Sequence, residues 1–288
     1  MILVAGELLI DMVTTELVTD LSKTNTLQIK AGGSAANFAR FCKKLGADVN
    51  LVATVGKDGF GEFALQAIKE SGLLTNYIKQ LTCHNTSVIV VGKSHSTPEF
   101  IPYRDADNHI EPVPDKLIAQ CTVFHTTAFA LSRQPAQDKI MEAFDKIIKA
   151  KKLISIDWNY AKKIWGQNNN AAILFDSIMS YRPLLKISMD DACRFWNIDN
   201  DIEEVKQKLD HYNYELVCLT NGANGVYYKK NGNPWNHKPN LPTNVIDVTG
   251  AGDAFWSGFI TCYLSNYSLE PSIDMALKVA KDRLEQRI

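Results

Sequence analysis

Apolar residues in this chain fall into short unbroken runs, separated by longer stretches where they recur every three or four positions. The runs at 2–5, 50–54, 121–125, 153–157, 184–188 and 215–219 have strand length. Their lack of polar alternation predicts strands buried on both faces. The stretches 35–45, 59–71, 136–150, 169–180, 201–211, 251–265 and 271–285 carry the helical period. Strand followed by helix, repeated along the chain, predicts an α/β fold: a three-layer α/β/α sandwich around a mostly parallel sheet. Segments 10–30 and 86–103 break the alternation with β-rich stretches such as Ser87-Val88-Ile89-Val90-Val91. They predict a small β-sheet that acts as a lid. The expected organisation is one domain over residues 1–288 with these two lid segments.

Composition narrows the function classes. Hydrophobic residues make up 45% and charged residues 22%, and the net charge is −1. With no long basic run, neither nucleic acid nor an anionic membrane is the expected partner. The apolar start, MILVAGELLIDM, is too short for a membrane span and reads as a first strand. Six cysteines, widely spaced and without a C-x-x-C pair, suit a reducing compartment, and the protein is expected in the cytoplasm.

The strongest candidate chemistry lies at Asp247-Val248-Thr249-Gly250-Ala251-Gly252-Asp253-Ala254-Phe255. Small residues leading into a helix let backbone N–H groups approach an anion, and a helix N-terminus favours negative charge. Asp253, at the join, is placed to take a proton. An anion pocket beside a base suits phosphoryl transfer to a hydroxyl.

Other motifs have both a ligand reading and a plain structural one. In Gly32-Gly33-Ser34-Ala35-Ala36-Asn37 the glycines would admit a polar ligand, with Asn37 hydrogen-bonding it; alternatively Ser34 simply caps a helix. Asp58 either caps the next helix or orients a ligand loop. Asp11, after the first apolar run, either accepts hydroxyl hydrogen bonds from a polyol or closes a turn. Thr220-Asn221-Gly222-Ala223-Asn224-Gly225 borders nucleotide phosphates, turns a hairpin into Val226-Tyr227-Tyr228, or does both. There is no Walker A loop, no G-x-G-x-x-G after the first strand, no zinc-spaced His/Cys cluster and no G-x-S-x-G elbow.

In this order, and about 200 residues apart, the Gly32-Gly33…Asn37 block and Asp247–Asp253 resemble the two signatures of the ribokinase-like, or phosphofructokinase-B type, carbohydrate kinases. The resemblance runs from residue 1 to about 265. The opening Gly-Glu-Leu-Leu-Ile-Asp and Ile156-Asp157-Trp158-Asn159…Trp165 look most like the fructokinase branch. This likeness implies a three-layer body with a β lid. It also implies transfer of the γ-phosphoryl of ATP, with Mg²⁺, to a sugar hydroxyl, the sugar being fructose or a related ketose. By resemblance Asp253 is the general base and Gly250, Ala251 and Gly252 form the anion hole. Asp11, Gly32, Gly33 and Asn37 hold the sugar, together with Arg104, Asp157 and Asn159. Thr220, Gly222 and Gly225 approach the nucleotide. Asp191 and Asp190 would organise Mg²⁺ through water, and Asp247 and Thr249 a K⁺ ion. The lid segments can build a homodimer contact in this family, or their apolar residues pack internally.

Three departures qualify the resemblance. Where the family has Asn-x-x-Glu, this chain has Ser188-Met189-Asp190-Asp191. The Asp-x-Asn-x-Arg pattern reads Asp157-Trp158-Asn159-Tyr160-Ala161, with Lys162 next. The final stretch from Ala276 to Leu284 lacks the small residues that close the adenine pocket and the K⁺ site. Two rival readings follow: a 2-keto-3-deoxygluconate-type sugar-acid kinase, and a catalytically weak sugar- or nucleotide-binding relative of the kinases.

Overall fold

The computed structural model describes residues 1–93, 99–166, 170–265 and 268–288. The strands are β1 (Ile2–Ala5), β2 (Leu9–Leu17), β3 (Leu27–Gly32), β4 (Val49–Gly56), β5 (Ile78–Leu81), β6 (Val88–Lys93), β7 (Phe100–Tyr103), β8 (Val123–Thr127), β9 (Leu153–Asp157), β10 (Leu184–Ser188), β11 (Leu216–Thr220), β12 (Val226–Lys230) and β13 (Asn236–Lys238). The helices are α1 (Ser34–Lys44), α2 (Gly59–Glu70), α3 (Asp115–Gln120), α4 (Ala136–Lys149), α5 (Lys162–Trp165), α6 (Ala171–Met179), α7 (Met189–Trp196), α8 (Ile202–Asp210), α9 (Ala251–Leu264) and α10 (Leu269–Leu284).

Among the described residues the large sheet has nine strands in the order β13-β12-β11-β10-β9-β8-β1-β4-β5. It is parallel except at the β11–β12 and β12–β13 pairings. Successive residues of each strand feed opposite faces, as the pleat requires. Ile2, Val4, Leu216 and Cys218 join one apolar cluster with Phe38 of α1 and Trp256 and Phe259 of α9. Leu3, Ala5, Val217 and Leu219 join the other with Phe144 of α4 and Phe175 of α6. The three-layer expectation holds.

The expected strands match β1, β9 and β10 residue for residue, and lie within one or two residues of the ends of β4, β8 and β11. The short strands β5 and β13 lie outside the expected strands, and β12 is the strand that the hairpin reading of 220–228 allowed. Lys79, Gln80, Lys229, Lys230 and Asn236 interrupt their apolar pattern. The helix expected over 169–180 is α6, and residue 169 lies outside the described residues.

The segments around 10–30 and 86–103 form a four-stranded sheet in the order β3-β2-β6-β7. Residues 94–98 of the second segment lie outside the described residues. The outer pairings are antiparallel and the central β2–β6 pairing is parallel. In register, Asp11 of β2 stands between Lys30 of β3 and Ile89 of β6. Asp58 caps α2, accepting from Gly61 N at 2.8 Å, and also takes both the N–H and the hydroxyl of Thr86. The capping reading of Asp58 therefore holds, and the cap ties α2 to the segment entering β6.

Strand order reverses around β1, which lies between β4 and β8. Open α/β sheets bind ligands in the crevice at such a point, outside the carboxyl ends of the strands. Here those ends lead to Glu7, Thr127, Asp157, Ser188 and Thr220.

Candidate active site

Asp253 sits in the first turn of α9, behind the Gly250-Ala251-Gly252 turn. Gly250 is the helix cap residue, with φ +74°. The Asp253 carboxylate receives two hydrogen bonds from the opposite end of the chain: Ser34 Oγ to Oδ1 at 2.5 Å and Asn37 Nδ2 to Oδ2 at 3.1 Å. Ser34 is thus not the helix cap anticipated as its plain reading. Gly33 occupies the cap position of α1, and the Ser34 hydroxyl is used by Asp253. Gly33 has φ +98°, and a Cβ there would lie 2.4 Å from the Glu7 carbonyl oxygen. Only glycine fits this turn without strain.

Lys186 was not singled out by the sequence reading. It lies within the apolar strand β10 and is 4% exposed. Its ammonium donates to both oxygens of Asp157, at 3.0 and 2.9 Å. A Cβ on Gly252 would come within 2.8 Å of Lys186 Nζ, so the missing side chain lets the loop lie against this buried cation. Burial alone would push the Lys186 ammonium down; Asp157 first, then Asp191 and Asp253, hold it up and charged. Asp157 is therefore committed to an internal pair. The signal available in the sequence was a single lysine inside Leu184-Leu185-Lys186-Ile187.

Glu7 is a second residue without an assigned role. It is 1% exposed and accepts from Ala35 N at 3.2 Å and Thr127 Oγ1 at 2.8 Å. Burial pushes its carboxyl up to about 7.

Asp11, Asn37, Thr249 and Gly250 face a common cavity of about 610 Å³. Its wall also carries four basic residues, Lys30, Arg40, Lys44 and Arg283. The Arg40 guanidinium donates to the Ala31 carbonyl at 3.5 Å. No carboxylate among the described residues lies within ion-pair distance of it. Burial, then the charge of Arg283, pull its pKa down, opposed by Glu70 on the same wall. Asp11 packs its carboxylate against Gly32, where a Cβ would meet Oδ2 at 2.0 Å. Burial raises Asp11 to about 6, with Lys30 opposing. Asp253 is likewise raised by burial to about 6; Ser34, Lys186 and Asn37 pull it down, and Asp11 pushes it up.

The remaining expected site residues are spread around this centre. Arg104 lines a different cavity, with Asp58 and Tyr103. Its guanidinium is paired with Asp107 at 2.5 Å, donates to Ser132 Oγ at 2.5 Å and stacks over Phe129. Asn159 accepts from Phe129 N at 3.1 Å and borders a third cavity with Asp191, Arg194 and strands of the small sheet. Asp191 is buried, accepts from Ser188 Oγ at 2.6 Å and pairs with Arg194 at 2.8 Å, whereas Asp190 is exposed. Thr220 pairs in register with Ser188. Gly222 and Gly225 form the turn from β11 into the antiparallel β12, so the hairpin reading of this segment holds.

This arrangement puts a carboxylate that can take a proton at a helix N-terminus, within the field of a buried cation, and bonded to Asn37 of a polar cavity. Solved structures with the same fold include sugar kinases. A fructokinase from Halothermothrix orenii superposes with a TM-score of 0.87 over 97% of both chains at 32% identity. A sugar kinase from Pyrococcus horikoshii, solved in complex with ATP, matches with a TM-score of 0.86 over 98% of this chain and 91% of its own, at 24% identity. An ATP-dependent 6-phosphofructokinase from Thermoanaerobacterium thermosaccharolyticum is 34% identical over 285 residues, 98% of this chain and 87% of that protein. The class is therefore that of phosphotransferases acting on sugars. The sequence model described as pfkB family carbohydrate kinase matches residues 1–286, and the chain belongs to that family. No helix among the described residues is long and apolar enough to cross a membrane.

Proposed function

We propose that this kinase transfers the γ-phosphoryl of ATP to a hydroxyl of fructose or a related ketose, with Asp253 as general base and Gly250–Gly252 as anion hole. The observation that carries the reading is the meeting of Asn37, Ser34 and Asp253 at the N-terminus of α9. The acceptor would lie against Asp11, Gly33 and Asn37, with the nucleotide toward Thr220 and Gly222. Phosphoryl transfer depends on alignment and charge neutralisation more than on covalent help. Backbone N–H groups at Gly250–Gly252 would meet the growing charge, and Lys186 beneath them adds a fixed positive charge that needs no reorganisation. A sugar hydroxyl is a weak acid, so Asp253 takes its proton as the new bond forms. Closure of the small sheet would exclude water.

Near the third cavity Asp191 is the carboxylate that would hold Mg²⁺ through water, and it could do so only by giving up its Arg194 pair. Asp191 offers hard carboxylate oxygens there, and both already have protein partners, Ser188 and Arg194. When bound, the ion would neutralise phosphate charge.

A second reading concerns the acceptor. Arg40 faces the cavity unpaired by any described carboxylate, beside Lys30 and Lys44. That wall favours an acceptor carrying its own anion: a phosphorylated ketose, as the name of the 34% relative suggests, or a sugar acid of the 2-keto-3-deoxygluconate type. One assay separates the readings. With Mg²⁺-ATP, ADP release is followed against fructose, fructose 6-phosphate and 2-keto-3-deoxygluconate. Preference for fructose supports the first reading and preference for an anionic acceptor the second. Binding without turnover on an extended sugar panel would sink both in favour of a weak binding protein. The small sheet leaves Leu27, Ile29, Ile101 and Tyr103 exposed; a dimer through this face remains our expectation, to be read from the solution mass.

A further inference from the structure

The family resemblance calls for a monovalent cation at Asp247 and Thr249, beside the anion loop. The Asp247 carboxylate that such an ion would need, and two backbone carbonyls beside it, are already engaged here. Asp247 Oδ1 accepts from Thr249 N at 2.9 Å. Asp247 Oδ2 receives Arg283 Nη2 at 3.1 Å and faces Lys30 Nζ at 3.7 Å. The Leu284 carbonyl, at the end of α10, accepts from both Ile246 N at 2.9 Å and Asp247 N at 3.3 Å. The Val248 carbonyl accepts from Ala251 N at 3.3 Å. An alkali ion is held by several oxygens with free lone pairs. At this position the carboxylate already faces two protein cations, so a third positive charge would be repelled.

The pair is not a solvent-facing ornament. The side chains of Asp247 and Arg283 are 15% and 16% exposed. Burial would push the Asp247 carboxyl up, but the Thr249 hydrogen bonds and the Arg283 guanidinium outweigh it and hold the group down at about 2. The guanidinium also stands at the loop itself: a Cβ on Gly250 would lie 3.6 Å from Arg283 Nε. Lys30 comes from β3, so the same carboxylate joins the small sheet, the anion loop and the last helix.

We infer that Arg283, with Lys30, takes the place of the monovalent cation: it braces the 246–250 loop through Asp247, and the enzyme works without K⁺. Arg283 is then a positioning residue. A guanidinium is planar and always charged, so it fixes direction as well as charge at the carboxylate. The inference rests on reading Gly250–Gly252 as the anion hole.

The test is an ion series at equal ionic strength, with turnover and melting temperature measured in KCl, NaCl and tetramethylammonium chloride. For the wild type, kcat should differ by less than about twofold between salts, because a required ion acting on an oxyanion site is worth far more. The melting temperature should not rise specifically with K⁺, since binding to the folded state alone would raise it. K⁺ activation of about tenfold or more, or a K⁺-specific thermal shift, overturns the inference. In Arg283→Ala, kcat should fall roughly tenfold or more with the acceptor KM little changed, as expected for a misplaced loop. K⁺ should restore part of that loss because the carboxylate is now free. Unchanged kcat in a folded Arg283→Ala overturns the inference. If that variant fails to fold, Arg283→Lys decides with the wild type: it should retain most turnover and stay indifferent to K⁺, and a K⁺ requirement in it would count against the bracing role. Asp253→Asn in the same assay separates the two levels. If it keeps near-normal kcat, the anion-hole reading fails whatever the ions do. If it abolishes turnover while K⁺ activates the wild type, only the cation inference fails.

Discussion

Asn37 donates to Asp253 at 3.1 Å although 216 residues separate them, so the two glycine-containing motifs at opposite ends of the sequence form one site. This relationship makes Asp253→Asn informative twice over. As the base, its loss should lower kcat by about 10²-fold or more while acceptor binding is largely kept. As a half-buried carboxylate whose ionisation the fold opposes, its loss should stabilise the fold. The folded value of about 6 lies above the free value of 3.8. Ionising Asp253 therefore opposes folding, fully above about pH 6 and not at all below the free value. The variant should be more stable than wild type at pH 8, by at most about 3 kcal/mol, and this advantage should vanish toward pH 4. Loss of turnover together with a lower melting temperature at pH 8 would mean a structural carboxylate instead.

The same raised value predicts the pH dependence of catalysis. A base must be ionised to act, so kcat/KM should fall as the pH drops through about 6 in the free enzyme. Asp11 is raised to a similar value, so the limb alone does not assign the group. Ser34 separates them, because its hydroxyl bonds Asp253 and helps to lower its pKa. Ser34→Ala should move the acid limb to higher pH. An unmoved limb in a folded, active variant would assign it to another carboxyl.

Much of this fold was legible in the sequence because its central strands are buried on both faces. Runs such as Leu-Val-Ala at 3–5 have no polar residue to obscure them, and helices such as α1 and α4 carry a clear apolar stripe. The edge strand β13 was not legible, since its residues Asn236-His237-Lys238 are polar and mostly exposed, and β12 showed only as the far arm of a possible hairpin. In the site, glycine-rich motifs announced themselves by type and spacing. Lys186 did not, because its meaning depends on Asp157, which pairs with it from the neighbouring strand. Ser34 is ambiguous for the same reason: a hydroxyl at a helix start offers a local cap, while its partner lies 219 residues away.

The Lys186–Asp157 pair yields a stability prediction. Both side chains are nearly inaccessible, at 5% and 4% exposure. Removing one member leaves a desolvated charge, at a cost of about 3–5 kcal/mol. Lys186→Met should therefore lower the denaturation midpoint strongly at neutral pH. The double variant Lys186→Met, Asp157→Leu should recover much of that loss, because a buried pair is readily replaced by apolar groups of similar size. Turnover should stay low in the double variant, since the cation under Gly252 is still missing. Full recovery of both stability and kcat would show that Lys186 serves only the fold.

Arg40 tests what the cavity recognises. It stands on α1 one turn from Asn37, so an acceptor held by Asn37 has Arg40 along its length. If the acceptor carries a phosphate or carboxylate, Arg40→Ala removes a charge-assisted hydrogen bond worth roughly 1.5–3 kcal/mol, which is about 10- to 100-fold in KM. The loss should fall on KM and kcat/KM for the anionic acceptor, with fructose little affected, because a neutral ring has no charge for the guanidinium to meet. If fructose is the acceptor, removing Arg40 should be nearly silent in kinetics. It should also relieve the repulsion from Arg283 that, together with burial, depresses the Arg40 pKa, so the fold should be slightly stabilised. A KM increase of equal size for fructose and fructose 6-phosphate would mean that Arg40 acts on the shape of the cavity rather than on the charge of its occupant.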